Sequence, residues 1–252
     1  MCRICGCGDD YSHAHSHAHS NSHAHTHDHA REHVHVRRVA IELDLLAKND
    51  RLAGDVRERL ARNRIAAVNL IGAPGAGKTT LLEHTIRALS GVAVNVIEGD
   101  QATDNDARRI AATGCDVVQV NTGAGCHLDA TMIDRALREL APRPDSLLFV
   151  ENVGNLVCPA LFDLGERAKV VVMSVTEGED KPLKYPHIFQ AASALVLTKA
   201  DLLPHLEVDL ERIIENARRI NASLDVFPVA ATRGHGLTEW CGWLRDQLTK
   251  AQ

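Results

Sequence analysis

After residue 64, seven short apolar runs alternate with polar and amphipathic stretches. The runs read IAAVNLI, VAVNVI, DVVQV, SLLFV, KVVVMSV, ALVLT and LDVFPV. Most are nearly continuous in Val, Ile and Leu, the pattern of strands buried on both faces of a parallel sheet. Between them, segments 78–89, 128–140 and 208–220 read as helices. The pattern therefore predicts an α/β fold with a mostly parallel sheet covered by helices on both faces. Ahead of the first run, Val39, Leu43, Leu46, Val56 and Leu60 fall roughly on one helical face, which predicts a helix over about 37–64. Residues 1–36 carry almost no large apolar side chains and cannot bury enough surface to fold alone. The expected organisation is a disordered Cys/His-rich tail over 1–36 and one domain over 37–252.

Composition narrows the class. Hydrophobic residues make up 45% of the chain and aromatics 3%, so the core is expected to be sizeable and aliphatic. A formal net charge of −5 with no basic run argues against a nucleic-acid-binding face. No run approaches the ~18 apolar residues of a membrane helix, and the start of the chain has no apolar signal segment. The expected location is the cytoplasm. There the seven cysteines stay reduced, and clustered cysteines read as metal-binding or redox groups rather than as a disulfide framework.

The first run is followed by GAPGAGKT over 72–79 and then by a helix, the strand–loop–helix context that a phosphate-binding loop requires. Gly72, Gly75 and Gly77 let the backbone wrap a phosphate with its amides pointing inward, and Ala76 and Thr80 complete the loop. Lys78 is positioned for the β- and γ-phosphates, and Thr79 for Mg²⁺. Asp100 closes the next strand, where a carboxylate faces the nucleotide, either binding Mg²⁺ through water or orienting the attacking water. Glu151 ends the run SLLFV in the usual place of a Mg²⁺-linked acid, where Asp is commoner. Lys199 and Asp201 in TKAD have the form of a guanine-reading motif. The Asp carboxylate accepts from guanine N1–H and the 2-amino group, and the Lys stem covers the ring. Thr198 stands where Asn is usual, which puts the tightness of the guanine contact in question.

A second constellation is metal-like. Cys126 and His127 open a helix in TGAGCHLDA, and Cys158 lies in ENVGNLVCPA, seven residues past Glu151. Both loops are expected at the C-terminal ends of strands, so the two thiols and the imidazole converge on Ni(II) or Zn²⁺, with one position left for another ligand. At the N-terminus, CRICGCG supplies Cys2, Cys5 and Cys7. Eight histidines follow within residues 12–29, and with His33 and His35 this makes ten of the chain's 15. Alternating imidazoles on a flexible chain suit a nickel store or buffer. Cys115 and Cys241 read as packing residues.

These motifs together resemble the hydrogenase nickel-incorporation GTPases of the HypB family, a branch of the SIMIBI class of P-loop GTPases. The resemblance runs through CRICGCG, the His-rich stretch, GAPGAGKTT, EGDQATDNDARRI, TGAGCHLDA, ENVGNLVCPA, GEDKPLKYP and TKADLLP. It implies GTP hydrolysis to GDP with Mg²⁺, and a homodimer joined through nucleotide and metal. It also implies work alongside other hydrogenase-maturation proteins in delivering nickel to the large subunit of [NiFe]-hydrogenase. By the same resemblance, Cys126, His127 and Cys158 match the family's metal site in the GTPase domain, and Cys2, Cys5 and Cys7 match a nickel motif that some members carry. Two other roles stay open: a nickel storage or buffering protein, and the related GTPase of urease maturation.

Overall fold

The structure is a computed structural model that describes residues 28–101, 103–123 and 125–251, with side chains from residue 44 onward. Cys2, Cys5, Cys7 and almost all of the His-rich stretch lie outside the described residues, as do the side chains of Val39 and Leu43.

All seven apolar runs form strands: β1 (Ala66–Ile71), β2 (Ala93–Asp100), β3 (Asp116–Asn121), β4 (Ser146–Glu151), β5 (Ala168–Ser174), β6 (Ala194–Thr198) and β7 (Asp225–Pro228). They pair in parallel in the order β3-β2-β4-β1-β5-β6-β7. A parallel pair needs a crossover connection, and helices supply it here. They are α1 (Asp28–Arg62), α2 (Lys78–Ala88), α3 (Asn105–Ala111), α4 (Ala130–Leu140), α5 (Cys158–Leu161), α6 (Lys181–Lys184), α7 (Pro186–Ala191), α8 (Leu210–Ile220) and α9 (Leu237–Thr249). Helix α1 begins at Asp28, inside the span expected to be tail. Helix α4 starts two residues later than its periodicity suggests, because Asp129 caps it by accepting from Met132 N at 2.8 Å. Helix α9 is not among the segments that the pattern predicts. The segment GEDKPLKYP forms α6 and leads into α7. It is tied to α8 by Asn216 Nδ2 donating to Glu179 O at 2.9 Å.

The core divides by layer. On one face of the sheet, Leu81 and Leu82 of α2 and Trp240 and Leu244 of α9 pack on Val68, Leu70, Val96 and Phe149. On the other, Val56 and Leu60 of α1 and Ile133 and Leu137 of α4 pack on Ala67, Ile97, Leu148 and Val150. Ile188, Phe189 and Ile213 cover β5 and β6. Trp240 also donates its indole N–H to Thr85 Oγ1 of α2 at 3.0 Å and stacks on Trp243 with ring centres 5.4 Å apart. This packing fixes the C-terminal ends of β1, β2 and β4 side by side, which is where an open α/β sheet binds its ligand.

Candidate functional site

The loop after β1 is shaped by close approach and by left-handed backbone. A side chain at Gly72 would meet Val172 O at 2.3 Å, so β5 admits only glycine there. Gly75 and Gly77 take φ of +75° and +91°, a region that L side chains rarely adopt. Lys78 and Thr79 start α2 and are buried. The Lys78 ammonium donates to Gly72 O at 3.4 Å, folded back over its own loop.

Neighbouring strands brace this loop. Thr198, the departure from the usual guanine motif, donates its hydroxyl to Ala76 O at 2.5 Å and is 4% exposed. It therefore ties the end of β6 to the loop backbone. Lys199 donates to Gly75 O at 2.8 Å. Gly154 presses on Pro74, where an added Cβ would come within 2.9 Å of the proline ring. Asp201 lies on the turn Ala200–His205, where Ala200 N donates to Val229 O at 3.2 Å and joins the loops after β6 and β7.

An open cleft of about 550 Å³ lies over the loop. Of the residues singled out in the sequence, Gly75, Gly77, Lys78, Thr79, Thr80, Asp100, Glu151 and Lys199 line it; Gly72, Ala76 and Asp201 do not. The Thr79 hydroxyl donates to Glu151 Oε1 at 2.7 Å, so the two groups suited to Mg²⁺ already meet. Burial pushes the Glu151 carboxyl up to about 7 against the opposing charge of Lys78. Asp100 accepts from Gln101 N at 2.6 Å and from Thr103 N at 3.0 Å, which closes the turn that leaves β2.

Arg109 and Glu98 also line the cleft, and the sequence reading gives neither a role. Arg109 of α3 reaches over to Glu83 at 2.7 Å and to Thr80 Oγ1 at 3.1 Å. Glu98, two residues before Asp100 on β2, is buried, and its carboxyl is pushed up to about 8 by burial and then by Glu151. The signal for Glu98 was a carboxylate within an otherwise apolar run, spaced by two from a second acid and so on the same strand face.

Cys126, His127 and Cys158 come together as expected, with their ligand atoms all within 4.8 Å of one another. The two sulfurs are 3.0 Å apart, well beyond a disulfide bond, and Cys126 Sγ is 3.7 Å from His127 Nδ1. His127 stacks on Phe162 at 3.9 Å, and burial holds its pKa below the usual histidine value against the pull of Asp129. A neutral imidazole beside two thiols is a donor set for a borderline divalent metal such as Ni(II) or Zn²⁺. Cys115 and Cys241 stand apart, both packed against the core, and burial pushes the Cys115 thiol up to about 12.

One segment serves both places. Residues 151–158 start at Glu151 in the cleft and end at Cys158. Along the way, Asn152 Oδ1 accepts from Leu128 N at 3.2 Å, and Asn155 Nδ2 donates to Cys126 O at 3.1 Å. These two amides clip the loop carrying Cys126 and His127 to the strand end carrying Glu151. Asn152 also donates to Asn69 Oδ1 of β1 at 3.3 Å, deep in the sheet.

Residues 66–228 match the family described as the CobW/HypB/UreG nucleotide-binding domain. The hydrogenase maturation factor HypB of Azotobacter chroococcum mcd 1 is 55% identical over 212 residues, covering 84% of this chain and 70% of that protein. This chain belongs to the HypB family. Solved HypB structures share its fold. That of Archaeoglobus fulgidus superposes with a TM-score of 0.75 at 39% identity, covering 80% of this chain and 99% of that one. The HypB of Helicobacter pylori, solved in complex with nickel, gives 0.76 at 33% identity over 81% and 96%. The family assignment covers the phosphate loop, both acid-bearing strand ends and the thiol–imidazole cluster. No described helix is long and apolar enough to cross a membrane.

Proposed function

We propose that this HypB-family protein is a GTP-hydrolysing nickel metallochaperone that acts as a homodimer in the cytoplasm. With other hydrogenase-maturation proteins, it delivers nickel to the large subunit of [NiFe]-hydrogenase. The observation that carries the reading is the 151–158 segment, which joins a phosphate cleft to a two-thiol, one-imidazole cluster.

In this reading the loop amides and Lys78 hold the β- and γ-phosphates and stabilise the charge that develops on transfer. Thr79 and Glu151 hold Mg²⁺, which neutralises phosphate charge when bound. Asp100 orients the attacking water from the end of β2. Lys199 covers the guanine ring and Asp201 accepts its two N–H donors, while Thr198 serves the loop rather than the base. Cys126, His127 and Cys158 hold nickel or zinc as cargo. The thiolates of Cys2, Cys5 and Cys7 in CRICGCG form a further nickel site, and the histidines of the tail store the metal.

GTP orders the segment beginning at Glu151, and hydrolysis releases it, in the way that triphosphate-sensing loops behave. Cys158 shifts with that segment, and metal bonds tolerate only about 0.2 Å of error. Nucleotide state therefore sets metal affinity, and linkage requires the reverse effect to be equal.

The test is maturation of [NiFe]-hydrogenase in a strain lacking its own family member. The wild-type chain restores activity at low nickel, whereas Lys78→Ala and Cys158→Ala do not. Full restoration by both variants refutes the reading. The His-rich stretch specifically favours a second reading, nickel storage. If storage is the main role, deletion of residues 8–27 abolishes tolerance of excess nickel, and Lys78→Ala leaves it intact.

A further inference from the structure

Glu98 and Glu151 form a buried acidic pair at the root of the cleft. They are register partners on adjacent parallel strands, Glu98 of β2 beside Glu151 of β4. They are 2% and 3% exposed, and both line the cleft beside Lys78 and Thr79. The Thr79 hydroxyl satisfies Glu151 Oε1, whereas Glu151 Oε2 and Glu98 Oε2 are both buried without a hydrogen-bond donor.

Side-by-side carboxylates on neighbouring strands repel, and an uncompensated buried charge costs several kcal/mol. Packing does not require either acid. Ile97 and Val150, their chain neighbours, already fill the apolar layer on the opposite face of the sheet. The adjacent cation, Lys78, donates to Gly72 O and is placed for phosphate rather than for a second acid. Two orphaned oxygens from two strands, facing one cleft, match a divalent cation that keeps most of its waters. Mg²⁺ binds in that way, through one or two carboxylates together with substrate phosphates.

The inference rests on reading the cleft as a nucleotide site. We propose that Glu98 is a further carboxylate of the divalent-cation site, holding with Glu151, through the cation's water shell, the Mg²⁺ that accompanies the nucleotide. Glu98 is a positioning residue here. It fixes the cation from β2, while Thr79 and Glu151 fix it from α2 and β4. The site thus takes one group from each of three elements.

The experiment is a Mg²⁺ titration of GDP retention in the full chain, read as the dissociation rate of a fluorescent GDP analogue. Glu98→Gln keeps the side chain's shape and removes its charge. The expected result is a Mg²⁺ midpoint raised about 10–100-fold, the usual effect of losing an outer-shell metal partner. The difference from wild type disappears in excess EDTA, and Glu98→Asp falls in between. Thermal unfolding in EDTA checks folding. There, Glu98→Gln unfolds no lower than wild type, because a buried charge has gone, and Mg²⁺·GDP raises its unfolding temperature by less. If Glu98→Gln and Glu98→Asp both share the wild-type midpoint, the pair shares a proton instead of a cation and the inference falls. If wild type retains GDP equally with and without Mg²⁺, the inference falls and the nucleotide reading stands; if Lys78→Ala binds GDP as wild type does, the nucleotide reading falls with it.

Discussion

The phosphate loop and the thiol–imidazole cluster occupy the same end of the sheet but are made in opposite ways. The loop is nearly all backbone, drawn from residues 72–80 and forced into shape by glycine geometry and by the approach of Val172. The cluster is all side chain, with sulfurs 32 residues apart in sequence on two loops that a pair of amides clips together. A backbone site is fixed once its strand and helix are packed. A side-chain site built on loops depends on every bond that sets the distance between those loops, so it can be adjusted from outside. That asymmetry is what the proposed coupling of nucleotide state to metal affinity requires.

The loop is where a single substitution should cost most. Lys78→Ala should lower GTP hydrolysis by at least about 10²–10³-fold, the scale for losing one transition-state charge partner; phosphate release at saturating Mg²⁺·GTP measures it. Wild-type turnover would show that the cleft is not the hydrolytic site.

At the cluster, Cys158→Ala should weaken nickel binding at the domain site by at least about 10–100-fold while leaving GDP affinity in EDTA unchanged. A chain shortened by residues 1–27, compared with its Cys158→Ala form by equilibrium dialysis, separates this site from the tail. Equal affinities would move the metal elsewhere.

Base reading comes next. Asp201→Asn should cost GTP about 1–3 kcal/mol relative to ATP, because two guanine donors lose their paired acceptor. Competition of the two nucleotides for one site measures this, and equal losses for both would remove the guanine assignment.

The clip itself is subtler. In wild type, nickel should change the ratio of GTP to GDP affinity by the same factor as nucleotide changes nickel affinity, roughly 5–150-fold for a typical coupling of about 1–3 kcal/mol. Asn155→Ala should shrink that factor without abolishing either ligand. A factor unchanged in Asn155→Ala would place the coupling on another path.

The smallest effect is on stability. Glu98 and Glu151 have folded-state pKa values raised to about 8 and about 7, with Asp100 and Asp106 adding repulsion at Glu98 and Lys78 opposing it. The folded protein therefore binds more protons than the unfolded chain between about pH 4.5 and 8, and stability is lost as pH rises through that window. Without nucleotide or divalent metal, the unfolding temperature should fall from pH 6 to pH 9, by about 2–4 °C for each kcal/mol lost in a domain of this size. Glu98→Gln should flatten the slope, and an unchanged slope would assign it to other groups.

How much of this was written in the chain follows from the same contrast. The seven strands were legible because parallel strands buried on both faces leave continuous Val/Ile/Leu runs, and the phosphate loop was legible because its chemistry is local. Helix α1 begins earlier than its periodicity suggests, since its first turns carry His, Glu and Arg rather than an apolar stripe. Helix α9 holds Gly242 and two tryptophans amid polar residues, which blurs its period. The convergence of Cys126, His127 and Cys158 could be expected from the strand ends, but Asn152 and Asn155 could not, because a clip is defined by the backbone atom it reaches. Glu98 was hidden for a related reason. Its sequence signal marks a buried acid on the face of Asp100, but the register of β2 and β4 is what sets it beside Glu151. Thr198 reads in sequence as a weakened base contact and in the fold as a brace on Ala76 O.

Trp240 and Trp243 are the chain's two tryptophans, and both sit on α9. Trp240 is hydrogen-bonded to Thr85, two turns along the helix that Lys78 begins. The tryptophan emission of this protein therefore comes from a single stacked pair behind the phosphate helix, on the face of the sheet away from α1 and α4. Light from it reports strain passed down α2 and the melting of that layer. Events among the sulfurs reach it only by way of the sheet, so a tryptophan signal that changes on adding nickel would itself be a measure of how far the metal is felt.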